Sequence, residues 1–315
     1  VTYLSRVSAL FSEGHDFALP PSLLCLAFVG SHSHGTYVPP SDPDAIDDVD
    51  LMGVVLPPAP YLVGLRTFEH WTCQRDELDI VTYSLHKFVR LCLKGNPNVL
   101  GLLWLRPEDY VQKSPWFSAL VAERDAFSAK SVYASFAGYA SGQLHRMTSY
   151  SPEIQQEIDA LTAQLEAAGW LLSEVMDRRA LPMPKGLTTD EANTKAQRLR
   201  ELRARYHAAY MGEKRRRLVV RHGYDTKNAA HLVRLLYTCV EFFRTGRLSV
   251  YRAEAETLKA IKRGEWTLDA VKAHAEDLFR EAKAARDAAD MPETPDAERV
   301  GRVVERLALE SLGVA

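Results

Sequence analysis

Apolar and polar positions follow two regimes along this chain. Up to about residue 115 the apolar positions come in short runs, at 23–29, 51–56 and 78–82, each of strand length. Loops carrying Pro39-Pro40 and Pro57-Pro58 separate them, and a helical stretch at 3–11 precedes them. Ser84 is placed to cap a helix that runs to about Lys94. Leu85, Phe88, Val89, Leu91 and Cys92 form its inner face, and Gly95 followed by Pro97 stops it. From about residue 116 the pattern turns almost wholly helical, near 116–146, 152–178, 188–212, 225–244, 251–263, 267–289 and 295–312. The expected architecture is therefore an α/β (α+β) domain with a short mixed sheet over 1–115, followed by an all-α domain over 116–315. Within the latter, Ile154, Ile158, Leu161, Leu165 and Leu172 predict one long amphipathic helix, and Pro182-Met183-Pro184-Lys185-Gly186 a loop. The segment 149–200 reads as an inserted helical hairpin that shapes substrate access or self-association.

Composition narrows the picture without deciding it. The 315 residues are 46% hydrophobic and 25% charged, a soluble globular chain with room for two domains. A net charge of −2 gives no overall attraction for nucleic acid, so any such affinity has to come from local patches. The four cysteines, at 25, 73, 92 and 239, lie in or beside apolar stretches without C-x-x-C spacing. That pattern predicts buried thiols in a reducing cytoplasm, with neither a disulfide framework nor a structural zinc site. No apolar run reaches membrane-spanning length and no charged leader precedes an apolar core, so a cytoplasmic chain with no membrane partner is expected.

The chemistry concentrates where the first apolar run stops, at Gly30-Ser31-His32-Ser33-His34-Gly35-Thr36. Small residues there let backbone N–H groups come close to a polyphosphate. Further on, Asp47-Asp48-Val49-Asp50 leads straight into the second apolar run. On a strand, Asp48 and Asp50 point to one face while Val49 points to the core. Two such carboxylates can bridge a pair of Mg²⁺ ions. A nearer pair, Asp42-Pro43-Asp44, is set aside because Pro43 would remove a ladder N–H from a central strand and no apolar run follows it. The residues between are a loop insertion.

Gly-Ser, an Asp-x-Asp and a third Asp at the head of a later strand, in that order, resemble the nucleotidyltransferase superfamily of DNA polymerase β. More narrowly they resemble the RNA repair pathway DNA polymerase beta family. The narrower likeness rests on Gly30 to Thr36, on Asp48-Val49-Asp50-Leu51, on Asp79-Ile80-Val81-Thr82-Tyr83-Ser84-Leu85-His86-Lys87-Phe88 and on Lys94-Gly95-Asn96-Pro97-Asn98-Val99-Leu100, and more weakly on Lys227 to Gly246. The spacing from Ser31 to Asp48 is longer than the superfamily usually has. Metal-ion catalysis gives Asp48 and Asp50 two Mg²⁺ ions to hold, with Mn²⁺ as a substitute. The resemblance implies that Asp79 completes the metal site on the nucleophile side. Gly30 and Ser31, with N–H groups at a helix N-terminus, would hold the β- and γ-phosphates. The nucleophile comes from the substrate, so no Ser or Cys of the chain has to be reactive.

Other residues admit two readings each. His32 and His34 alternate as zinc ligands do, but two histidines without a third ligand fit loop residues that touch phosphate. Lys87 and Lys94 share a helical face and meet either triphosphate, RNA backbone or solvent. Asn96 and Asn98 cap and turn after that helix, near the nucleotide. Lys214-Arg215-Arg216-Arg217, with Arg198, Arg200, Arg203, Arg205 and Arg221, is either a track for a phosphodiester backbone or a solvated face paired with Glu191, Glu201 and Glu213. Lys227, His231 and Arg234 recur at four and three residues on one helical face, either an anion site facing the catalytic cleft or a half-exposed surface.

The expected function is a metal-dependent nucleotidyltransferase that moves NMP from an NTP to an acceptor hydroxyl and releases pyrophosphate, at an RNA or tRNA 3′ end in RNA repair. Alternatives are transfer to a protein hydroxyl (AMPylation) or to a small molecule such as an aminoglycoside antibiotic. A further alternative is a catalytically silent nucleotide- or RNA-binding regulator, which the presence of Asp48, Asp50 and Asp79 together disfavours. The preferred NTP, the acceptor and the oligomeric state are not written in the sequence.

Overall fold

The computed structural model describes residues 2–19, 21–39, 41–42, 48–148, 152–177, 181–205 and 213–314, with backbone alone at 148, 152, 205 and 213–215. Asp47, and Pro43 and Asp44 of the rejected pair, lie outside the described residues, as do the side chains of Arg205, Lys214 and Arg215.

Five strands, β1 (Leu23–Phe28), β2 (Val49–Val55), β3 (His70–Arg75), β4 (Leu78–Ser84) and β5 (Tyr110–Lys113), form one mixed sheet in the order β3-β4-β2-β1-β5. β2 and β4 run parallel, and the remaining neighbours are antiparallel. The three inner strands are those that the apolar runs predict. The two edges are additional. β3 is mostly exposed and polar, and β5 has only four residues, so neither shows the apolar run of a strand covered on both faces. β2 also begins before its apolar run, because Val49 and Asp50 already pair with Leu78 and Asp79.

The sheet's alternation decides what faces where. Val49, Leu51 and Val55 of β2 join Leu78 and Ile80 of β4 and Leu23 and Leu26 of β1 in one core, closed by Val7 and Phe11 of the opening helix Tyr3–Ser12. Phe11 is fully buried, edge-on to Phe17, Phe68 and Trp71. Side chains of this size contribute roughly 1.5–3 kcal/mol each on full burial, enough to fix the register of β2. Asp50, one residue out of phase, is thereby turned to the opposite face. The helix Leu85–Leu93 follows β4 as expected, with Ser84 Oγ accepting the Lys87 N–H at 3.3 Å. Gly95 ends it at φ +67°, where a Cβ would come within 3.0 Å of Val132 Cα.

Contacts divide the chain elsewhere than at residue 115. One compact unit combines Val1–Ser141 with Ala230–Ala315, and the other is Gly142–Ala229. In the first unit the helix Ala297–Ser311 packs on Leu85–Leu93 and Pro115–Ala122. Helical periodicity marks a buried stripe but not its partner, which is why the sequence groups all the helices together. In the second unit, helices Pro152–Ala167 and Thr189–Arg205 bury Ile158, Leu165, Ala196 and Leu199 around Trp170. The single helix expected over 152–178 breaks at Gly169. That residue takes φ +88°, and the Trp170 N–H bonds back to Leu165 O at 2.9 Å, a helix C-cap, so that Leu172 opens a separate helix, Leu172–Met176. Among the described residues no helix is long and apolar enough to cross a membrane.

Candidate active site

Asp50 sits on β2 directly opposite Asp79 on β4 in the parallel register. Both point away from the core that holds Val49, Leu51, Leu78 and Ile80. Asp48, just before β2, shares the parity of Asp50; it and Asp50 are half-buried, whereas Asp79 is exposed. Gly30 lies on the Asp50 carboxylate: at φ +62°, a Cβ there would run into Asp50 Oδ2. Glycine is thus required twice, for its backbone angle and for this contact. Among the described residues no three His, Cys, Asp or Glu side chains are gathered into one ready group of metal ligands. The three carboxylates instead share a strand face and a register. By donor type they fit Mg²⁺, which takes one or two carboxylates and completes its shell with water and substrate phosphate.

The loop after β1 is a single helical turn, Gly30–Ser33, too short to carry the macrodipole of the helix N-terminus expected there. Ser31 is buried, and its hydroxyl has no hydrogen-bond partner among the described residues. The far end of the loop is clamped by residues more than two hundred positions later. His34 Nδ1 donates to Val250 O at 3.2 Å, the Arg252 N–H donates to His34 O at 3.2 Å, and Lys262 Nζ donates to Thr36 O at 2.8 Å. The Tyr251 ring lies on Gly35, where an added Cβ would come within 2.6 Å of it, and the Arg106 guanidinium covers the ring at 4.1 Å. None of Arg106, Tyr251, Arg252 or Lys262 stands out in the sequence, since each is an ordinary residue until the chain brings it to the loop.

This clamp gathers positive charge. Burial first, and then Arg234, His231 and Lys262, hold the His34 pKa well below the usual histidine range. Because Val250 O can only accept, Nδ1 carries the proton of a neutral His34. Arg234 is half-buried on the helix Thr226–Thr245, and burial together with Arg252 pushes its pKa down to about 9, so it stays protonated at neutral pH. Among the described residues Arg234 makes no side-chain hydrogen bond or ion pair. Arg252, by contrast, is held by Glu241 and by Glu254.

Of the residues singled out in the sequence, the structure thus brings Gly30 to Asp50 and Asp50 to Asp79, and His34 to His231 and Arg234. Lys227 falls in the second unit and is half-buried. Lys87 stands apart: it follows the far end of β4, roughly 16 Å along the strand from Asp79, and its ammonium bonds Glu69 at 2.7 Å together with Arg90. His32 is stacked between Phe28 and Tyr37 while His34 is tied to Val250, so the two do not converge as a zinc pair. Asn96 caps the turn Pro97–Leu100 by accepting the Asn98 N–H at 3.1 Å. In the second unit, Arg198 pairs with Glu157, Arg216 with Asp159, and Arg200 donates to Val175 O. Burial pushes the Cys25 and Cys92 thiols up, and that of Cys239 to about 12, so these three carry no thiolate at neutral pH.

A strand ending on Gly-Ser, with a carboxylate-bearing strand beside it and a third acidic strand in parallel register, is the arrangement expected of a DNA polymerase β-type nucleotidyltransferase domain. Residues 12–159 match the RNA repair pathway DNA polymerase beta family. The match spans every residue of the Gly30 loop and all three aspartates, and it bears out the family likeness read from them. It ends before the 227–246 segment to which that likeness was more weakly extended. No curated protein and no solved structure matches the chain. The family description implies nucleotidyltransferase-type activity in RNA repair.

Proposed function

We propose that the chain is a Mg²⁺-dependent nucleotidyltransferase that transfers NMP from an NTP to a hydroxyl at an RNA or tRNA 3′ end. The observation that carries this reading is the Asp50–Asp79 register with Gly30 pressed on the Asp50 carboxylate. Asp48, Asp50 and Asp79 would hold two Mg²⁺ ions, which when bound supply charge neutralisation on the triphosphate and a lowered pKa for the acceptor hydroxyl. The chain's own residues do the rest. Gly30 and Ser31 offer N–H and O–H donors to phosphate oxygens beside the carboxylates, with His32 flanking the turn. Asp79, the exposed member, faces an entering hydroxyl and is the group to receive its proton. His34, His231 and Arg234, with Lys262, meet the other end of the loop. That end lies about 6 Å along one helical turn from Gly30, the direction in which a β,γ-diphosphate would extend. The acceptor class comes from the family description.

The test is label transfer from α-labelled NTPs to RNA 3′ ends in the presence of Mg²⁺ or Mn²⁺, with pyrophosphate release measured in parallel. RNA labelling that disappears in Asp50→Asn supports the proposal. Pyrophosphate release with a protein or aminoglycoside acceptor but never with RNA would transfer the activity to that class. No release with any acceptor would leave a silent binder.

A further inference from the structure

We propose that the groove between the helices Leu85–Leu93 and Ala297–Ser311 receives the Val63–Leu65 turn of a second copy of this chain, in a twofold dimer. The inference is independent of the nucleotidyl-transfer reading. Its first support is a hydrophobic knob held out in water. Leu65 is fully exposed and Val63 is 74% exposed, on a turn that follows the single helical turn Ala59–Leu62. The turn is tied on both sides. Tyr61 Oη and the Arg66 guanidinium donate to the Asp16 carboxylate, the Val63 N–H donates to Ala59 O at 3.0 Å, and the Arg66 N–H donates to Pro60 O at 3.3 Å. Gly64 is needed within it, since a Cβ there would run into Pro60 O. A loop free to relax would fold its leucine back onto the protein, whereas this one holds Leu65 away from it.

The complementary feature lies beside it. Leu62 and Val63 form one edge of a groove of about 520 Å³, walled by Val89 and Leu93 on one helix and by Val304 and Leu309 on the other. Gly301 lines it and leaves it open, because a Cβ at that position would meet nothing within 4 Å. Leu65 of the same molecule does not fill the groove, being fully exposed. The Leu65 of a second copy is under no such constraint. A knob and a hole side by side on one face are what an isologous contact requires, since the twofold axis passes between them and each copy supplies both. The charged residues lining the groove are Arg90 and Glu305, one of each sign. That balance suits a surface that meets itself, whereas an anionic membrane or a nucleic acid calls for cations alone.

Sedimentation velocity of the full chain over a concentration series tests this. A monomer–dimer equilibrium is expected, dissociating at about micromolar concentration as befits an interface at the small end of the range. Leu65→Asp removes the knob twice in each dimer and should weaken association about a hundredfold. Gly301→Leu fills the hole from the exposed face of a helix, where leucine is also the better helix former. It should weaken association comparably in a protein that melts no lower than the parent. Leu171→Asp, at an exposed leucine of the other unit, should change nothing. A chain that stays monomeric throughout, a dimer that survives both substitutions, or equal weakening by Leu171→Asp overturns the proposal. A monomer that binds phosphatidylcholine–phosphatidylserine vesicles through Leu65 overturns it too, and gives the turn to a membrane surface. Nucleotidyl transfer is measured separately, so its absence would leave this contact standing.

Discussion

The two ends of the Gly30–Thr36 loop solve opposite electrostatic problems. At one end, Asp48, Asp50 and Asp79 bring three carboxylates to one strand face. At the other, Arg234 and Lys262, with His231, act on a histidine that is held neutral. Each end concentrates one sign of charge that folding alone does not favour, and in the proposed reaction a nucleoside triphosphate with its metal ions would satisfy both together. The loop between them is short, with Asp50 against Gly30 and Tyr251 against Gly35. A charge concentration of this kind marks a ligand better than any single residue does.

The largest effect expected at the acidic end comes from Asp50→Ala. Transfer should fall on the order of 10³-fold, several kcal/mol of barrier at about 1.4 kcal/mol per decade, while the melting temperature holds or rises because like charges are separated. Turnover retained in the Asp48→Ala, Asp50→Ala double variant would break the assignment. Next is Gly30→Ala, which meets both a positive φ and the Asp50 carboxylate and should cost about 1–3 kcal/mol of stability by denaturant melting. Part of that loss should return when Asp50→Ala is added; no recovery would mean that the backbone angle alone requires glycine.

The cationic end is sharpened by pH. His34 is held below the free-histidine pKa of about 6.5, so between its folded pKa and that value the unfolded chain binds the extra proton. Stability should therefore be lost as pH falls below about 6.5 and be flat in this group above it. Urea midpoints across that range should show a shallower fall in His34→Asn, and equal slopes would show that His34 does not titrate as described. The smallest effect belongs to Lys87→Ala: a partly exposed pair shared with Arg90 on Glu69 is worth about 0–1 kcal/mol, and transfer should be unchanged. A marked loss of activity there would extend the site to the far end of β4.

The acidic end was legible in the sequence and the cationic end only in part, for a physical reason. Asp48, Asp50 and Asp79 are placed by strand alternation, a local rule, and Val49 and Leu51 in the core are enough to turn Asp50 outward. His231 and Arg234 could be seen as a helical stripe, but their place beside His34 depends on tertiary contacts. Lys262 and Tyr251 have no local signature at all; Lys262 meets Thr36 across 226 positions of sequence. The same limit hid β3 and β5, whose exposed edges lack an apolar run, and the grouping of Ala230–Ala315 with the sheet. Gly169 shows the converse. It is a visible helix breaker inside a periodic pattern, and its local signal outweighed the apolar spacing that carried on to Leu172.

Tyr251 against Gly35 also sets an order of assembly. During synthesis the five strands emerge well before residue 250, so a nascent chain can close its sheet while the loop above it still lacks its clamp. Release of the helices beyond residue 250 is then the step that completes the loop, and with it the pocket proposed to hold a nucleotide.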